Sequence, residues 1–151
     1  MEDVKLHSDN AVLHLHSVQK LDDDTHNTDL NSTCVFEYTP DKAVIRYKES
    51  GLDEHNAPDT VITVLTGQVV TIQRVGKFSM NLVLEEGVTH ETAYRVPEGE
   101  IPLTIYTEKI RFSFNDDGGM MLVRYTLDLN GMIRSNHTIR LAVKRSSASH
   151  T

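Results

Sequence analysis

The sequence predicts an all-β fold: a single antiparallel up-and-down β-barrel of about eight to ten strands. Val, Ile and Thr supply 38 of the 151 residues, and these side chains suit a pleated, half-buried surface. From residue 59 onward, polar and apolar residues alternate with period two between turn residues, the pattern of strands with one buried face. Short sequential strands also have edges to hide, and closing the sheet removes them. A two-sheet sandwich is the alternative.

Strands are expected over 10–19, 29–39, 43–50, 59–66, 68–75, 78–85, 89–96, 101–114, 120–130 and 137–145. In the first, Leu13 and Leu15 share one face, while His14 and His16 share the other with Val12 and Val18 and point outward. In the second, Ser32, Cys34 and Phe36 alternate inward. Ile45 and Tyr47, then Val70 and Ile72, then Phe78, Met80, Leu82 and Leu84 form further stripes. Residues 101–114 switch parity: Ile101, Leu103 and Ile105 share one face, and Ile110, Phe112 and Phe114 share the other. A bulge near Thr107-Glu108 reconciles the two and bends the strand round a barrel corner. Met121, Val123, Tyr125, Leu127 and Leu129 make an unbroken inward stripe. Asn130-Gly131 is a two-residue hairpin signal, because both central residues of a type I′ turn need positive φ. No window carries a helical stripe, although a short helix or turn near 20–28 fits the composition. Residues 1–145 are expected to form one domain, with 146–151 as a flexible tail.

Charge and cysteine usage exclude several classes. The formal net charge is −7, with 13 acids and 5 bases in residues 1–60 and 9 acids and 10 bases in the remainder. Without a basic stripe, the phosphate attraction that nucleic-acid binding depends on is missing; Arg134, Arg140, Lys144 and Arg145 read as a solvated face. No apolar run approaches the ~18 residues of a membrane span. Met1-Glu2-Asp3 is acidic where a secretory signal is basic, then apolar. The single cysteine, Cys34, excludes an intramolecular disulfide and suits a reducing compartment, so a cytoplasmic protein is expected. Cys34 itself is expected to be buried and free.

The catalytic signatures are missing too. There is no phosphate-cradling glycine loop and no nucleophile elbow. The eight histidines lack the spacing of a metal site, and Asp22-x-Asp24-x-His26 lacks the glycine and closing glutamate of a calcium loop. The residues lean away from an enzyme, and imply neither a metal nor a cofactor.

Tyr47-x-Glu49, Arg74-x-Gly76, Leu82-x-x-Glu85-x-Gly87, Tyr94-x-x-Pro97-x-Gly99, Gly118-Gly119 and Tyr125-x-Leu127 follow one another in a fixed order. This ordered set resembles the YwiB-like family of small bacterial proteins, a domain of unknown function, across roughly residues 10–145. The resemblance implies a calycin-like, that is lipocalin-like, barrel and implies no activity. The chain departs from the family pattern at Tyr47-Lys48-Glu49, where the family has a doubly acidic segment.

Polar residues with core parity define the candidate site. Glu49 continues the Ile45–Tyr47 stripe and Arg74 continues Val70–Ile72, so both are expected to face the interior. Charges there are costly unless paired or used. One reading makes Glu49 and Arg74 a structural salt bridge. The other makes Tyr47, Glu49, Arg74 and Tyr125 the polar contacts of a small, partly apolar ligand held inside the barrel. A barrel of this size can also be filled by its own side chains, which would make the protein an interaction or regulatory module. Whether it forms a homo-oligomer is open at this point.

Overall fold

The computed structural model describes residues 9–48, 59–76 and 79–146. Ten strands follow in order: β1 (Ala11–Leu21), β2 (Asp24–Thr39), β3 (Lys42–Lys48), β4 (Asp59–Leu65), β5 (Val69–Val75), β6 (Ser79–Glu85), β7 (Thr89–Val96), β8 (Gly99–Asn115), β9 (Gly118–Leu129) and β10 (Ile133–Arg145). Each strand pairs antiparallel with the next, and β1 pairs with β10 to close the barrel. The expected up-and-down barrel is present and the sandwich is not. None of the described residues forms a helix long and apolar enough to cross a membrane.

Two stretches differ from expectation. No helix forms near 20–28. Instead β1 runs to Leu21 and β2 begins at Asp24, the chain reversing through Asp22, whose φ is 55°. Asp tolerates this left-handed conformation because its short polar side chain can bond locally. Residues 24–28 are exposed on both faces, so they carry no alternation; the ladder to β1, from Leu21↔Asp24 to Ser17↔Thr28, holds them extended. Likewise β10 starts at Ile133, earlier than expected, because Ser135 points inward where an apolar residue would have signalled a strand.

Other features match. Asn130 and Gly131 have φ of 55° and 71°, the type I′ hairpin. The β8–β9 register shifts between Thr107 and Lys109, which keeps Ile105 and Thr107 inside before the bulge and Ile110 inside after it. The Thr107 carbonyl accepts a hydrogen bond from the Gly87 amide at 2.8 Å, so the β6–β7 turn takes up a backbone group at the irregularity.

The barrel is filled unequally along its axis. At the end carrying the β8–β9 turn, Phe36 lies 6.1 Å from Phe114, and Phe114 lies 6.4 Å from Phe112, centroid to centroid. The Arg145 guanidinium covers the Phe36 ring at 5.3 Å, and the Asn10 side chain exchanges two hydrogen bonds with the Phe36 backbone, at 2.9 and 2.7 Å. Ile45, Ile62, Val70, Leu84, Ile105 and Val123 fill the middle, fully buried. Burying each contributes about 1.5–3 kcal/mol. At the other end, beside the β1–β2 and β9–β10 turns, the inward residues become polar.

Cys34 sits in the filled half with no exposed surface, and burial pushes its thiol up to about 11. The thiolate is the reactive form. Native protein at neutral pH is therefore expected to resist a thiol reagent until denaturant is added; stoichiometric labelling beforehand would contradict this burial.

Candidate functional site

Ladder register brings the polar inward residues together. Tyr47 pairs with Thr60, Thr60 with Arg74, Arg74 with Met80, and Met80 with Tyr94. These neighbours run across five strands at one height. On the facing wall Tyr125 pairs with His137, and His137 with Gln19. Between the two walls lies a cavity of about 430 Å³, open at the barrel end. Its polar lining includes Tyr47, Thr60, Arg74, Tyr125, His137 and Gln19; its apolar lining includes Leu15, Leu30, Ile72, Leu82, Leu127 and Ile139.

Three of the four candidate residues from the sequence thus meet in one cavity: Tyr47, Arg74 and Tyr125. Glu49, the fourth, and with it the expected Glu49–Arg74 pair, lies outside the described residues, as does Phe78. Thr60, Gln19 and His137 also line the cavity without having been sequence candidates, whereas Met80 stood on the Met80–Leu82–Leu84 stripe. For Thr60 the signal was available, since it shares parity with Ile62 and Val64. His137 had been grouped with the scattered histidines, yet its ring stacks on Tyr125 at 5.0 Å and 5°.

The electrostatics follow from burial. Tyr125 is 5% exposed; burial above all, and then neighbouring Tyr47, push its phenol well above the ordinary value, while Arg74 pulls partly the other way. Tyr125 is consequently a neutral hydroxyl at physiological pH. Burial pushes His137 from 6.5 down to about 4, so its imidazole is neutral as well. Its Nε2 shares a 2.8 Å hydrogen bond with the Ser135 hydroxyl.

His137 makes stability pH-dependent. Its folded-state value is depressed, so between pH 6.5 and 4 the unfolded chain binds the proton that the folded chain resists. The stabilisation is complete above pH 6.5 and is lost as pH falls toward 4. Urea midpoints are expected to drop across that window in the native protein and to flatten there in His137→Gln. An unchanged slope in the variant would contradict a buried neutral imidazole.

His14 and His16 face outward, as expected. His16 Nδ1 lies 2.8 Å from Asp29 and His14 Nε2 lies 3.5 Å from it. The hydrogen bond from His16 holds the Asp29 carboxyl below its usual range. Among the described residues no group of three or more His, Cys, Asp or Glu side chains could hold a metal ion. The late basic residues divide: Arg140 and Lys144 are exposed, Arg134 lies 3.6 Å from Asp128, and Arg145 donates to the Asp116 carbonyl at 2.6 Å.

Further hollows lie on the outer wall. One of about 550 Å³ is bordered by Arg46, Lys48 and Asp59; one of about 500 Å³ surrounds Met120, Leu122 and Arg140. Met120 is 66% exposed. Neither hollow gathers deeply buried polar groups between facing walls as the interior cavity does, so the interior cavity is the candidate site.

Comparison with known proteins agrees with this architecture. A family profile described as a domain of unknown function, DUF1934, matches residues 13–141. The crystal structure of the YwiB protein from Bacillus subtilis superimposes with a TM-score of 0.79 at 19% identity, covering 95% of this chain and 98% of that one. Among curated proteins nothing matches.

Proposed function

Because the chain belongs to the DUF1934 family, whose description assigns no activity, function has to be argued from the site, and we propose that the protein binds a small, partly apolar ligand in the open end of its barrel. Tyr47, Arg74 and Tyr125 are the polar contacts of this proposal. Glu49 was the fourth sequence candidate, and the proposal does not depend on it. The observation that carries the reading is the cavity of about 430 Å³ whose facing walls both mix polar and apolar side chains. Specific small-molecule sites have this composition, mostly apolar with a few placed polar groups, in volumes of ~300–1,000 Å³. The reading places the protein in the cytoplasm, in keeping with its single cysteine.

Native mass spectrometry of protein purified under mild conditions tests this. The expected result is a discrete added mass that is lost on denaturation and absent from a variant with the cavity filled, Leu127→Trp. Ligand-free protein, with no stabilisation by any compound in a broad thermal-shift screen, would favour the other reading, a self-filled interaction module.

A further inference from the structure

Independently of the cavity, we infer that two copies of the chain associate through the outward face of β8, β9, β10 and β1. They pack antiparallel, so that the acidic β1–β2 turn of each copy meets the basic end of the other. A two-fold axis brings such unlike ends together twice and closes the assembly at a dimer.

At the basic end, ladder register sets His14 beside Ala142 and Ala142 beside Met120, with His16, Arg140 and Leu122 in the next row. Arg111 follows Leu122 on β8. These side chains surround the outer hollow of about 500 Å³, whose lining holds two arginines, two histidines and no Asp or Glu. Arg111 is held by Glu86 at 3.1 Å, whereas Arg140 and its outward neighbours Arg124 and Lys144 make no ion pair among the described residues. In a molecule of net charge −7, this face therefore gathers unpaired cations around an apolar hollow. Met120 in the hollow and Val12 at its edge are left largely in water, and a sizeable apolar patch with a polar rim marks an interaction surface.

The other end of the face carries the complement. Asp22, Asp23 and Asp24 are all exposed at the β1–β2 turn, and Lys20 offsets only one of their charges. Asp22 follows His16 by six residues, roughly 20 Å along a strand at ~3.3 Å per residue. The antiparallel arrangement sets the turn, with Asp23 at its centre, over Arg140 of the second copy. Four strands ~4.8 Å apart, taken from residue 12 to residue 22, give a footprint of roughly 600 Å² per copy. Two such footprints reach the lower bound of about 1,200 Å² for a specific interface, so the dimer is weak and concentration-dependent. Nucleic acid fits this face less well, because the apolar centre offers phosphate no partner and the net charge repels a polyanion.

Sedimentation velocity on the full chain at neutral pH, from about 10 to about 500 µM, tests this by mass action. A monomer–dimer equilibrium is expected in low salt, weakening at least about tenfold in ~0.5 M salt, where exposed charges are screened. Met120→Glu should abolish the dimer, and Arg140→Glu and Asp23→Lys should each weaken it at least about tenfold. Combining Arg140→Glu with Asp23→Lys exchanges the charges on both sides and should restore the native affinity to within about threefold. All three side chains are exposed, so the variants keep the fold, which their urea midpoints check. A chain that stays monomeric at about 500 µM in low salt would overturn the inference and leave the face to a different acidic partner. A dimer unaffected by Met120→Glu and Arg140→Glu would overturn it too, as would single-variant losses that the combined variant does not recover.

Discussion

Gly118→Ala is expected to destabilise the barrel by about 4 kcal/mol, as a fall in the urea midpoint without a change in slope. Gly118 sits at φ +132°, and a Cβ built there would lie 2.0 Å from the Val143 carbonyl oxygen and 2.8 Å from its carbon. Both obstacles are backbone atoms of β10, so no side chain can swing aside. Backbone strain of roughly 1–3 kcal/mol adds to roughly 1–3 kcal/mol of overpacking. Gly119 is equally confined, 2.1 Å from the Ser113 carbonyl oxygen. The pair lets β9 pass close between β8 and β10. A loss under about 1 kcal/mol for Gly118→Ala would mean that the strands do not approach as described.

Phe36→Ala is expected to cost about 3–5 kcal/mol, the usual range for removing a buried aromatic ring. Phe36 has no exposed surface and joins β2 to the Phe114 ring and the Arg145 guanidinium. Its loss empties the filled end of the barrel rather than the cavity end. Ligand affinity measured well below the variant's melting temperature should therefore be unchanged. Coupled loss of stability and affinity would show that the two ends are not independent.

These effects also show which parts of the molecule could be read from the sequence. Arg74 and Tyr125 were legible because each extends an apolar stripe, and a one-residue slip would have turned Val70 and Ile72, or Val123 and Leu127, to solvent. The bulge at Thr107 was legible as a change of parity within 101–114. The hairpin tip at 21–28 was not, since its residues are largely exposed on both faces and are held extended by the ladder to β1. His137 was hidden for a related reason. Its inward neighbour Ser135 is polar, so no stripe announced that this stretch of β10 faces the core, and its stacking on Tyr125 depends on the β9–β10 register. Parity assigns a residue to a face; it does not say which residues from other strands meet it there.

The central claim, that the proposed binding site is the barrel interior rather than the outer wall, is tested most directly by methyl NMR during titration with a compound that stabilises the protein in a broad thermal-shift screen. Met80, Leu82, Leu127 and Ile139 line the cavity, whereas Met120 and Leu122 border the outer hollow. The account predicts saturable shifts confined to the cavity methyls, with Met120 and Leu122 unmoved. Shifts centred on Met120 and Leu122, with the cavity methyls unchanged, would contradict it.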